Sequence, residues 1–138
     1  FHILSRAFPQ VRQQLYGLHN FIHDPLTEQI PNLITNPDAP NSDYVIEVTH
    51  RRQTKRVRPV LVLNGNGMTA MMNADKQLYV DRSFIHRDET DYMQRTGAGS
   101  ALNAYHPEEI CAENFRMMIE GTAFPQSDAM VEILRTLR

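Results

Sequence analysis

Residues 44–64 read "YVIEVTHRRQTKRVRPVLVLN", and here the chain turns from helical to extended patterning. Apolar residues alternate in Tyr44–His50 and crowd together in Val57–Leu63, and valine recurs in both runs. "NGNG" at 64–67 is a hairpin signal, "MTAMM" follows it, "NADK" at 73–76 is a second turn, and "QLYV" closes the block. These features predict a small antiparallel meander of three or four strands. Pro59 lacks an N–H, so its strand is expected at an edge or at a bulge.

Helical patterns flank the meander. In "FPQVRQQLYGLHNFIHD" (8–24), Val11, Leu15, Leu18 and Ile22 recur at helical spacing. This predicts one helix that runs to His23 and ends ahead of Pro25. "PNLITNPDAPNSD" (31–43) is a proline- and asparagine-rich loop. "DRSFIHRDETDYMQRTGAGSALNAY" (81–105) is a long polar connection of the kind that borders sites. "HPEEICAENFRMMIEG" (106–121) is a helix with Pro107 at its first position, Glu108 and Glu109 in its first turn and Gly121 at its end. "FPQSDAMVEILRTLR" (124–138) is a last helix, with Ser127 or Asp128 as its N-cap. The predicted class is α+β: an N-terminal helix, a small antiparallel meander and two C-terminal helices in one domain, 1–138.

Bulk properties limit the function. The 138 residues, 41% hydrophobic and 22% charged, suit one globular domain with a modest core. A net charge of −2 does not call for nucleic acid or an acidic surface. No apolar run is long enough to span a membrane. The one cysteine, Cys111, excludes an internal disulfide and fits a reducing compartment. It lies on the apolar side of its helix, as a packed rather than a reactive thiol would. Six histidines direct attention to metal sites.

Two spacings carry that chemistry. His19 and His23, four apart in "HNFIH", would place two imidazoles on successive turns of one helical face, within reach of one ion. The same pair also fits two partly exposed histidines at a helix end. Glu109, Glu113, Arg116 and Glu120 share one side of the 106–121 helix, which equally describes a solvated acidic face.

The order Glu109-Ile110-Cys111-Ala112-Glu113-Asn114-Phe115 resembles E-x-x-A-E-x-F, the third-ligand helix of zincin-type metallopeptidases with a Glu ligand, the lethal-factor-like bacterial peptidases. The resemblance covers about a dozen residues. It implies zinc-dependent hydrolysis of a protein or peptide substrate. Glu109 would be the metal ligand, Glu113 would orient a ligand histidine, and Tyr105 would be the oxyanion-stabilising tyrosine, at an altered offset. His19 and His23 would complete the ligand set if this chain holds the whole site. The family's motif is HExxH, and Asn20 stands where the general-base glutamate belongs; an amide cannot do that work. Three explanations stay open. The HExxH lies upstream of Phe1 and the chain is the C-terminal part of a larger peptidase, which is the favoured expectation; "HNFIH" is an impaired site; or "HNFIH" is unrelated and the ligands differ. A partner chain that completes the site is a separate expectation.

The alternative from another class is a non-catalytic binding module. It would use a sheet edge or the basic hairpin 51–58, where Arg51, Arg52, Lys55, Arg56 and Arg58 cluster. No aromatics interleave with these charges, so a solvated hairpin is the simpler account and nucleic acid is not expected. His86, Asp88, Glu89 and Asp91 gather in one loop and could meet a cation, or simply water.

Overall fold

The computed structural model describes residues 1–25, 33–34, 44–50, 52–64, 67–74, 78–81, 91–97 and 106–137. It is an α+β domain, as the patterning predicts. In chain order the elements are α1 (His2–Ala7), α2 (Pro9–Leu18), β1 (Phe21–His23), β2 (Leu33–Ile34), β3 (Tyr44–His50), β4 (Gln53–Asn64), β5 (Gly67–Ala74), β6 (Leu78–Asp81), α3 (Tyr92–Thr96), α4 (Pro107–Ile119) and α5 (Ser127–Arg135).

The N-terminal region corrects the single-helix expectation. α1 and α2 are separate helices, broken between Ala7 and Pro9. α2 ends at Leu18, because Asn20 adopts a left-handed φ of 62° that no helix continues through. The chain then enters β1, which pairs antiparallel with β3. Val11 and Leu15 form the buried stripe foreseen for the helix. Ile22, the fourth residue of that supposed stripe, is instead 44% exposed on a strand. Its spacing from Leu18 was a coincidence of period.

The sheet is larger than the predicted meander: among the described residues it holds six strands in the order β1-β3-β4-β5-β6, with β2 pairing β4 off that path. β3 and β4 meet in a tight turn that pairs His50 with Gln53, and Arg52 there takes a positive φ of 64°. Asn64 pairs with Gly67, as the "NGNG" signal implied, and Ala74 pairs with Leu78 beyond it. Pro59 is neither on an edge strand nor at a bulge, against the expectation, since β4 lies between β3 and β5 and its register with β5 is unbroken; it sits instead where its missing donor does least harm. On one side it faces Met72 of β5. On the other, β3 pairs only with positions 53–57 and β2 only with Leu61 and Val62. The proline thus occupies the gap between two partners on the same flank of β4.

The long connection contains α3, which the composition of 81–105 concealed. Asp91 precedes α3 and is a structural residue, not a member of a solvated acidic loop. It accepts from the Thr49 backbone N–H at 2.7 Å and from Arg95 Nε at 2.7 Å. Desolvation pushes its carboxyl up, but these hydrogen bonds outweigh it and hold the carboxyl below its ordinary range. His86, Asp88, Glu89 and Arg51 lie outside the described residues. Gly97 ends α3 in the left-handed region with φ 58°, and a side chain there would strike Gln126.

α4 starts at Pro107 and stops before Gly121, as predicted. α5 differs by one residue: its N-cap is Gln126, and Ser127 is the first helical position. Val11, Leu15 and Tyr16 from α2, Phe21 from β1, Tyr44, Ile46 and Val48 from β3, Val57 from β4, Tyr92 from α3, Ile110 and Cys111 from α4, and Phe124 and Met130 from the C-terminal segment form one core. Burial pushes the Cys111 thiol up, which keeps it protonated and inert, the packed role expected of it. α2 therefore packs against both α4 and α5, and α4 turns Ile110 and Cys111 into the core.

Candidate functional site

The first turn of α4 is where chemistry gathers. His106 caps the helix, its Nδ1 accepting from the Glu108 backbone N–H at 3.1 Å. Pro107 fixes the first helical φ and has no N–H left to satisfy. Glu108 then turns inward and is only 2% exposed. A buried carboxylate must be met by donors, and here three converge. Tyr16 donates its hydroxyl to Oε2 from α2. Ser5 donates to Oε1 from α1 at 2.5 Å. The Nδ1 of His2 lies 2.9 Å from the same Oε1. A carboxylate oxygen accepts, so Nδ1 carries a proton, and in the neutral ring Nε2 is the nitrogen with the lone pair. A carboxylate that fixes one ring nitrogen and presents the other is the usual support of a histidine ligand or base. His2 is only half-buried.

The electrostatics of this cluster follow from its dryness. Burial, with the nearby Glu108 carboxylate and its hydrogen bond adding to it, pushes the Tyr16 hydroxyl far above its ordinary range, so Tyr16 stays a donor. Burial first, and His2 second, push His106 down to about 3, so this capping ring is neutral. Glu109 follows Glu108 in the chain, lies about 100° round the helix from it, and stays half-buried.

The residues predicted from sequence are dispersed. His19 and His23 are not on one helix face: His19 caps the end of α2, and His23 is on β1. His19 is fully buried, with Nδ1 2.6 Å from the Thr96 carbonyl and Nε2 3.4 Å from the Asn114 side-chain amide. His23 is exposed and stands edge-on to Tyr44, ring centroids 5.3 Å apart. These two rings do not fit a shared zinc ion. Asn20 is not a displaced general base either. Its left-handed φ and its hydrogen bond to the Arg95 carbonyl, 2.6 Å long, account for an asparagine there. Glu113 is gripped by Arg116 Nε at 3.1 Å and Nη2 at 2.7 Å, and Arg116 also reaches Glu120. Hydrogen bonding by Arg116 holds the Glu113 carboxyl below its ordinary range, and no described histidine hydrogen-bonds to it. Tyr105 lies outside the described residues.

Sequence reasoning missed Glu108, His2, Ser5 and Tyr16. Their contacts join positions 92 to 106 residues apart, which no local period reveals. The one available signal was a pair of adjacent glutamates on a half-apolar helix, of which one had to face inward.

The basic hairpin is partly neutralised, since Asp24 Oδ2 lies 3.5 Å from both Arg56 and Arg58. Among the described residues, no helix is long and apolar enough to cross a membrane. Nor do three or more His, Cys, Asp or Glu side chains come together in an arrangement that could hold a metal ion. Comparison with known protein families, with curated proteins and with solved structures finds no match to this chain.

Proposed function

We propose that the chain is a zinc-peptidase-type domain whose site is centred on the first turn of α4. The observation that supports this is the His2–Glu108 pair, 2.9 Å apart, at the head of the helix that carries the E-x-x-A-E-x-F order. In this proposal Glu109 is the carboxylate ligand and His2 an imidazole ligand, both of the donor kinds zinc prefers. Glu108 fixes the tautomer of His2, and Tyr16 and Ser5 hold Glu108. His19 and His23 are not proposed as ligands. The described residues do not provide a full ligand set, so the proposal requires a further donor from outside them or from a partner chain. Zinc, when bound at such a site, polarises a peptide carbonyl and activates water.

The test is zinc stoichiometry on the purified protein. One zinc per chain, lost in both Glu109→Ala and His2→Ala, is the expected result. A folded Glu109→Ala protein that keeps its zinc removes Glu109 from the site, and a wild-type protein that never takes up zinc ends the proposal.

A second reading is a binding module that recruits an extended peptide at β1. It is favoured by the place of β1 at the end of the strand order and by the exposure of Ile22. Zinc-free peptide binding abolished by Ile22→Asp would support it.

A further inference from the structure

His19 and Asn114 meet where the end of α2, α3 and α4 join, and both are fully buried. The Thr96 carbonyl can only accept, so His19 Nδ1 carries the proton of the neutral ring. Nε2 then accepts, and it is faced by the Asn114 Nδ2 donor at 3.4 Å. The other end of that amide, Oδ1, is buried without a hydrogen-bond partner among the described residues. A protonated ring would carry N–H on both nitrogens, and Nε2–H would then point at an N–H₂ group. Turning the Asn114 amide by half a rotation replaces that clash with Nε2–H donating to Oδ1.

We propose that His19 and Asn114 form a proton-driven amide switch: a proton taken up on His19 Nε2 turns the Asn114 side chain over, with the backbone unchanged. The two states exchange one orphaned amide atom for the other, so neither is locked by hydrogen bonding alone.

Of the charged groups on the elements packed around the ring, Arg12 on α2 keeps a buried Nε without a hydrogen-bond partner among the described residues, and Glu108 on α4 is held by His2, Ser5 and Tyr16. On α3, Arg95 pairs with Asp91. On α4, Glu113 and Glu120 pair with Arg116. On α5, Glu132 pairs with Arg135 and Asp128 is exposed. His23 on β1 stands edge-on to Tyr44. Burial is what holds His19 below the ordinary histidine range, with the Thr96 hydrogen bond opposing it. The switch is therefore set to move under acid conditions. It does not rest on the metal proposal, since neither residue belongs to that site.

The test is nitrogen-detected NMR of the whole chain over a pH series. Near neutral pH, His19 should show the Nδ1–H tautomer. On acidification, the Asn114 side-chain amide resonances should move with the same midpoint as the His19 ring. Asn114→Asp, which supplies a fixed acceptor, should raise the His19 midpoint by about one pH unit or more. Asn114→Leu, which removes the acceptor, should lower it. An Nε2–H tautomer at neutral pH, an Asn114 amide that stays still through the His19 titration, or an unchanged midpoint in Asn114→Asp would each overturn the switch. Should Asn114→Leu fail to fold, the wild-type co-titration and Asn114→Asp decide alone.

Discussion

Glu108 and Glu113 lie five residues apart on α4 and do opposite jobs. Glu108 is dry, and three donors from two other helices converge on it. Glu113 is half-exposed and is served by Arg116 from its own helix. The first pair of oxygens ties α1 and α2 to α4; the second only decorates α4. An acidic helix is thus not one surface, and the residue that matters to the fold is the one that faces away from the acidic stripe.

The comparison breaks most sharply at Glu108. Glu108→Ala removes the acceptor from three buried or half-buried donors and is expected to cost ~3–5 kcal/mol, read from denaturant unfolding. A cost near that of a surface residue would show that the cluster is not a tie between helices. Tyr16→Phe keeps the packed ring and removes one donor, so a loss of ~1–3 kcal/mol is expected by the same measurement.

Acid sharpens the contrast next. His106 and His19 are held neutral in the fold, below the ordinary value of 6.5. As pH falls below that value, the unfolded chain takes up protons that the folded chain refuses. Stability therefore falls with pH, by up to ~1.4 kcal/mol per pH unit for each such histidine, until its folded value is reached. For His106 that window extends down to about 3. His106→Asn keeps an N-cap acceptor and removes the titrating ring, so the acid limb should flatten. An equally steep limb would place the acid sensitivity elsewhere. The smallest effect is expected at the exposed end of the comparison: Glu113→Gln should shift Tm by no more than about 2 °C.

How much of this the sequence disclosed depended on distance along the chain. α4 was legible because Pro107, the first-turn acids and Gly121 are local signals that tertiary packing did not override. The β3–β4–β5 ladder was legible from alternation and "NGNG". β1 was not: Leu18 and Ile22 keep helical spacing, and only the left-handed Asn20 between them reveals the break. α3 is one short helix whose anchor, Asp91, holds a strand 42 residues back. At the candidate site, Glu109 was named from the order of residues, whereas His2 and Glu108 needed a contact spanning 106 positions.

Pro59 has a consequence of another kind. It parts β4 into a proximal half, which carries Val57 into the core, and a distal half, which runs with β5 toward Gly67. A strand with such a seam can be lengthened or trimmed at its far end without moving the end that holds the helices. Related chains should therefore differ most in the span of that distal arm, and inserted residues should be tolerated there first.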